Sequence, residues 1–270
     1  MTAAGQPVAG ARVSFAASTD SISGTSFFGP VTTNASGQFA ISRSVSVSTL
    51  FSADVERVST PCAEPSSAPA GCAQETVAPP SAASVVVRVR LATDPKLVPR
   101  KRDQAAARRA NFTLGDFPAG WEGFDNFSPF ECRGYRPKLE KLTASGDAES
   151  RIFGTELAAA ASRTTVFTSD AQARTAYARV SGIGLARCFA DQLRADGVVI
   201  LELGAIPFAK LGNETRAFRI VYEIDEFVVT DDFVYFRNGR TVVQLLFASV
   251  TQPLPIAEAL ARKVAARVRD

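Results

Sequence analysis

Residues 233–249 read FVYFRNGRTVVQLLFAS, and this stretch decides the fold of the C-terminal part of the chain. Asn238-Gly239 between two apolar runs is the strongest short-range hairpin signal in the sequence. The strand after it, TVVQLLFASV, is apolar on both faces, which predicts a central position in a sheet. Immediately upstream, residues 212–223 read GNETRAFRIVYE. There Phe218, Ile220, Tyr222 and Ile224 alternate with Arg219, Val221, Glu223 and Asp225, the period-two pattern of a strand with one face on a core.

Helical signals surround these strands. Ser169 and Gln172 form an S-x-x-Q capping box for a helix through Tyr177 and Val180. Gly182 and Gly184 interrupt it, and a second helical stretch sets Leu185, Cys188, Phe189 and Leu193 along one stripe. Pro253 and Pro255 introduce a last helix with Ile256, Leu260, Val264 and Val268 inward. Its later turns carry Arg262, Lys263, Arg267 and Arg269, which suit the negative end of a helix. Residues 111–270 therefore read as an α+β domain, an antiparallel sheet flanked by helices.

The first part of the chain reads as all-β. In GARVSFAAS (10–18), Val13 and Phe15 alternate with Arg12 and Ser14. In TTNASGQFAIS (32–42), Asn34, Ser36 and Gly37 are turn residues before a strand carrying Phe39 and Ile41. Val45 and Val47 alternate with serines, and SVVVRVRL (84–91) sets Val85, Val87, Val89 and Leu91 against Arg88 and Arg90. Short alternating strands punctuated by turns predict a small immunoglobulin-like sandwich over residues 1–92.

Composition removes many chemistries. The 270-residue chain contains no histidine, which excludes Ser-His-Asp and Cys-His nucleophile systems, imidazole proton shuttles and His-ligated zinc. The four cysteines, Cys62, Cys72, Cys132 and Cys188, lack CxxC spacing. Falling two and two into separate regions, they read as two disulfides and so as an oxidising, extracytoplasmic location. No apolar run is long enough to span a bilayer as a helix. No basic-plus-apolar leader follows Met1, so this location expects a leader or lipid anchor upstream of it.

The net charge of +3 is confined. Residues 1–95 and 111–270 each come to −1, whereas residues 96–110 hold six Lys/Arg against Asp103, giving +5. A nucleic-acid-binding face would spread its basic residues and interleave aromatics. Residues 93–110 are therefore expected to be a basic, solvated linker with at most one helical turn, and no nucleic-acid partner is expected.

Two resemblances add to this reading. GQPVAGARVSF (5–15) followed by TTNASGQFAIS and a closing apolar strand resembles the carboxypeptidase-regulatory-like or Cna-B-like immunoglobulin-type sandwich, a spacer or adhesion module without catalytic residues. A Pro/Ala/Ser-rich loop, residues 60–83, departs from that pattern, and a Cys62–Cys72 pair would staple it with about 3 kcal/mol. Residues 111–270 resemble the extracytoplasmic sensor domain of actinobacterial Ser/Thr kinases and related lipoproteins, within the PsbP-like superfamily. The resemblance rests on LGDFPAGW (114–121), the single Cys after it, Cys188 in the helical stretch, GNETRAFR, the RNGRTVV hairpin and the Ala-rich last helix. It implies a cleft that binds a ligand or partner, and a Cys132–Cys188 disulfide of about 4 kcal/mol tying the early segment to the helical layer. No kinase or membrane-spanning segment accompanies it.

The candidate binding residues follow from residue type. Trp121, the sole tryptophan, is a ligand platform or an anchor of its Pro/Gly-rich segment. Arg133, Tyr135 and Arg136 beside Cys132 suit a carboxylate, phosphate or glycan, or are simply solvated charge. Arg219, Tyr235, Arg237 and Arg240 are expected to meet on one side of the hairpin, with solubilising charge as the plainer alternative. Glu223, Asp225, Glu226, Asp231 and Asp232 raise loose calcium binding, but without EF-hand spacing they read as a solvated acidic rim. Glu202, between two leucines, reads equally as inward-facing, where a carboxylate-only hydrolase would use it, and as an edge residue. The expectation is no enzyme, no cofactor, no metal, and an envelope ligand or another surface protein as partner.

Overall fold

The computed structural model describes residues 2–3, 6–7, 12–18, 26–36, 38–40, 49–55, 83–87, 94–124, 129–132, 134–224, 226–250 and 252–268. The chain divides into two compact units, Met1–Val89 and Arg90–Asp270.

In the first unit, β1 (Thr2–Ala3) and β2 (Gln6–Pro7) form a two-stranded ladder. Strands β3 (Arg12–Ser18), β4 (Ser26–Thr32), β5 (Thr49–Val55) and β6 (Ala83–Val87) form an antiparallel sheet in the order β4-β3-β5-β6. Val13 and Phe15 are buried, as their alternation predicts, while Arg12 is exposed. Phe39 meets Phe15 edge-on at 5.4 Å but lies outside any strand. The turn at Asn34 closes on its own side chain, whose Oδ1 accepts from Ser36 N and Gln38 N. Residues Ile41, Val45, Val47, Val89 and Leu91, the loop 60–82 and the Cys62–Cys72 pair lie outside the described residues.

The second unit is α+β. Its elements are β7 (Lys96–Leu97), α1 (Lys101–Ala110), β8 (Glu122–Phe124), β9 (Thr143–Glu149), β10 (Ile152–Gly154), β11 (Ala158–Phe167), α2 (Asp170–Val180), α3 (Gly184–Ala195), β12 (Val199–Ile206), β13 (Glu214–Ile224), β14 (Phe227–Asn238), β15 (Thr241–Val250) and α4 (Ala257–Arg267). Nine strands make one sheet in the order β12-β13-β14-β15-β11, after which the long β11 divides its outer edge between β10-β8 and β9-β7. Every pairing is antiparallel except β7 with β9. The apolar β15 lies between β14 and β11, inside the sheet.

Alternation then assigns the faces. Val234, Phe236, Val243, Leu245 and Phe247 point to one side, against Leu260, Ala261 and Val264 of α4 and against Phe112. Phe233, Tyr235, Val242 and Ile220 point to the other, against α2, α3 and Phe167. Each layer closes an apolar face that one sheet cannot bury alone.

The hairpin differs from its sequence reading by one position. Asn238 pairs with Thr241, so the loop dipeptide is Gly239-Arg240, with Gly239 at φ 50°. An Asn-Gly loop would place Arg237 directly opposite Arg240, and like charges there are unfavourable. The observed register sets Arg237 opposite Val242 and Tyr235 opposite Gln244. The capping box is also half-formed. Ser169 Oγ accepts from Gln172 N at 3.3 Å, but Gln172 Oε1 accepts instead from Thr143 N at 2.6 Å, tying α2 to β9.

Residues 93–110 are not a linker. Lys96 pairs with Thr143 of β9, and α1 is a full ten-residue helix packed on β9 and β11. Its basic residues are exposed, but Asp103, Ala107 and Ala110 are buried. Asp103 accepts from Ser145 Oγ at 2.6 Å and from both Arg240 nitrogens at 3.2 and 3.3 Å. Gln104 exchanges two hydrogen bonds with the Asp147 backbone. Gly146 permits this approach, since a Cβ there would lie 2.4 Å from Asp103 O.

Candidate functional site

The face that carries α2 and α3 has a continuous polar row. Cross-strand register aligns Tyr235 (β14), Gln244 (β15), Arg163 (β11) and Glu149 (β9) as direct neighbours. Directly opposed residues share a face, so four polar side chains cross this layer, with Arg237, Thr165 and Asp147 in the next row. Such breaks in binary pattern are where function is first sought.

Arg163 is held. Its Nε and Nη2 lie 3.4 and 3.3 Å from the Asp147 carboxylate, and Thr165 Oγ1 donates to Asp147 Oδ1 at 2.8 Å. Asp147 raises the guanidinium pKa above its ordinary value despite burial, with Glu149 and Asp94 adding to it. Tyr235 is 1% exposed and its Oη has no hydrogen-bond partner. Burial, then the neighbouring Tyr135, pushes its pKa well above the usual phenol value.

A cover of residues 129–132 and 134–139 lies over this row. Cys132 is disulfide-bonded to Cys188 of α3, with Cα atoms 6.2 Å apart, so the cover is attached to the helical layer. Tyr135 Oη donates to Val180 O at 3.2 Å at the end of α2, and burial pushes the phenol up to about 12. Gly184 starts α3 where a Cβ would fall 2.9 Å from the Tyr135 ring. That close approach, more than helix interruption, is what the glycine supplies. Lys138, in the same segment, has φ 56°, and its carbonyl accepts from Arg179 Nη1.

Between cover and sheet is a cavity of about 50 Å³. It is lined by Arg163, Thr165 and Gln244 of the sheet, by the apolar Phe130, Leu139, Phe167 and Val180, and by Asp94 and Glu131. Among the described residues, neither Gln244 nor Glu131 has a side-chain hydrogen bond or ion pair. The site thus presents an unengaged amide and an unengaged carboxylate beside the held Arg163.

Of the residues singled out from sequence, the structure brings Tyr135 and Tyr235 to this place. Trp121 is elsewhere: half-buried, stacked on Phe117 at 4.6 Å and packed on the α4-side core. Arg133 lies outside the described residues. Arg136 is exposed and braces the cover through Tyr135 O at 2.8 Å and Cys132 O at 3.4 Å. The hairpin set does not converge. Arg219 is bidentate to Asp232 at 2.7 and 2.8 Å on the face opposite Tyr235. Arg237 is 5% exposed and bonds Glu214 at 2.8 Å and Asp170 at 2.5 Å. Arg240 is taken by Asp103 and by Phe167 O at 3.0 Å. Carboxylates distant in sequence therefore occupy all three guanidinium groups.

The acidic residues divide likewise. Asp231 and Asp232 face opposite sides of β14; Glu223, Glu226 and Glu202 are exposed, and Asp225 lies outside the described residues. Burial, reinforced by Asp232, pushes Asp231 up to about 7, with a Tyr222 hydrogen bond working against the rise. Among the described residues no three His, Cys, Asp or Glu side chains are grouped to hold a metal ion, and no helix is long and apolar enough to cross a membrane.

Sequence reading passed over Gln244, Glu131 and the Arg163–Asp147 pair. A signal existed for two of them: Gln244 interrupts TVVQLLFASV, and Arg163 interrupts AAAASRTTVF. No family model, curated protein or solved structure matches the chain.

Proposed function

We propose that the chain is a non-catalytic binding or sensor module of the cell envelope, and that its second unit takes an envelope ligand or partner in the recess under residues 129–132 and 134–139. The observation that carries this is the pair of unengaged polar groups, Gln244 and Glu131, lining a cavity of mixed apolar and charged residues beneath a disulfide-tethered cover. A cavity with a few convergent polar groups is the default binding site of a small domain. The PsbP-like resemblance of residues 111–270 supports the same reading, as the sandwich resemblance of residues 5–92 supports a spacer role for the first unit. The disulfide supports an extracytoplasmic location, and the lack of histidine a role without acid-base catalysis.

The test is a melting-temperature screen of the oxidised protein against envelope glycans, lipids, amines and peptides. A ligand binding only the folded state raises the midpoint with its concentration. No shift with any member at saturating concentration removes the binding reading.

One observation favours a second reading, a structural piece of a surface assembly. Val199 and Leu201 on β12, which ends the sheet, are 57% and 52% exposed. The adjoining hairpin end exposes Ile224 and Phe227. An apolar sheet edge invites strand addition. Concentration-dependent oligomers in analytical ultracentrifugation support that role, and a monomer at all concentrations removes it.

A further inference from the structure

The recess has a definite chemical preference, which rests on the binding reading above. Its hydrogen-bond donors are mostly spent inside the protein. The Arg163 guanidinium is engaged by Asp147, Thr165 Oγ1 donates to the same carboxylate, and Tyr135 Oη donates to Val180 O. Among the described lining side chains, the free acceptors are the Glu131 carboxylate and the Gln244 amide oxygen, and the donors left are the Gln244 NH2 and Arg163 Nη1.

Charge points the same way. Asp94 and Glu131 line the cavity, and Asp147 and Glu149 stand against Arg163, the only lining cation among the described residues. An anion at Arg163 would sit among four carboxylates, Asp94, Glu131, Asp147 and Glu149. A cation meets a surplus of negative charge in a partly buried site, where attraction is stronger than in water. The phenyl rings of Phe130 and Phe167 in the lining add faces that favour a cation.

We infer that the cavity binds a primary alkylammonium group, with its NH3+ on Glu131 and the Gln244 amide oxygen and its methylenes against Phe130, Leu139 and Val180. An ammonium carries three donors and no acceptor, the complement of what the recess leaves unmet. At about 50 Å³ the space holds a few water-sized groups, enough for an amine head and the start of a chain, with the remainder outside it. A free diamine and the end of a peptide lysine share this chemistry.

The decisive experiment titrates the whole oxidised chain with n-butylammonium, n-butanoate and n-butanol at matched ionic strength, by calorimetry and by amide NMR. The expected result is saturable binding of n-butylammonium alone, with the Gln244 side-chain amide moving. Glu131→Gln is expected to weaken binding at least tenfold and leave the melting temperature of the free protein unchanged, because Glu131 has no internal partner. Cadaverine binding more tightly than Nα-acetyl-lysine amide assigns the site to free amines; the reverse order assigns it to a peptide side chain. If n-butanoate or n-butanol moves the same amide with equal affinity, or if Glu131→Gln binds like the parent, the ammonium assignment falls while the recess stands as a binding site. If no probe and no member of the wider screen moves a cavity resonance, both readings fall together.

Discussion

The two faces of the large sheet are built to different rules. On the α4 face the polar groups that enter are nearly all matched: Ser162 Oγ accepts from Phe112 N, Thr164 Oγ1 donates to Asn111 Oδ1, and Arg267 clamps Asp116. Only Asn111 Nδ2 is left buried without a partner there. On the α2/α3 face, Tyr235 keeps a buried oxygen without a partner, the buried Tyr177 and Ser181 hydroxyls meet each other only outside good hydrogen-bond geometry, and a cavity separates sheet from cover. An unmatched buried polar group costs about 1–3 kcal/mol. One face therefore carries stability, and the other holds its polar groups available at some expense of it.

The most forceful way to break this comparison is to cut the cover loose. Replacing Cys132 and Cys188 by Ser opens a loop of 56 residues and should remove about 4 kcal/mol. Denaturant melts measure the loss. Hydrogen exchange should show it concentrated at residues 129–139 and α3, with α4 still protected; uniform loss of protection would show that the faces are not independent.

Leu260→Ala probes the other side. Leu260 is 2% exposed against the α4-side core, and its truncation should cost about 3 kcal/mol while leaving the affinity of any cavity ligand unchanged. Asp103→Asn comes next, at about 2 kcal/mol for hydrogen bonds to a charged group. The Arg240 hydrogen bond, then Ser145, holds this carboxyl below its ordinary pKa. Its folded pKa is depressed, so its contribution is present above the unfolded value near 4 and lost as pH falls through the folded value. The parent should lose stability on that acid limb, and the variant should lose less.

Tyr235→Phe removes an oxygen with no partner and should be neutral or stabilising by about 1 kcal/mol; a clear loss would mean the hydroxyl is bonded in solution. A pH-dependent effect belongs to Asp231, whose folded pKa is raised to about 7. Its contribution is full below pH 4 and is lost as pH rises through 7. Stability measured from pH 4 to 8 should therefore decline through this group, and Asp231→Asn should flatten that decline.

How far the sequence carried the reading depends on the distance over which each signal acts. The hairpin, the central β15 and the faces of β13 and β14 were legible because alternation is local. The loop register was not, because it turns on Arg237 avoiding Arg240, a pair effect that no single-strand pattern contains. Helix α1 was hidden by its own composition. Six basic residues dominate the segment, while docking depends on Asp103, Ala107 and Ala110 meeting Gly146 and an arginine 137 residues away. Arg237 was misplaced for the same reason, since its carboxylates lie 23 and 67 residues off in sequence. Gln244 was visible as a polar break in an apolar strand, but only the register showed it between Tyr235 and Arg163.

The pairing of β7 with β9 has a mechanical side. Lys96, Val98 and Arg100 donate backbone hydrogen bonds to Leu142, Ala144 and Ser145, and the two strands run parallel. A pull on the chain from its amino-terminal side loads these three bonds together in shear, so they resist as a group and do not unzip singly. Asp94, two residues before β7, lines the cavity, so tension on β7 from its amino-terminal side reaches the cavity lining.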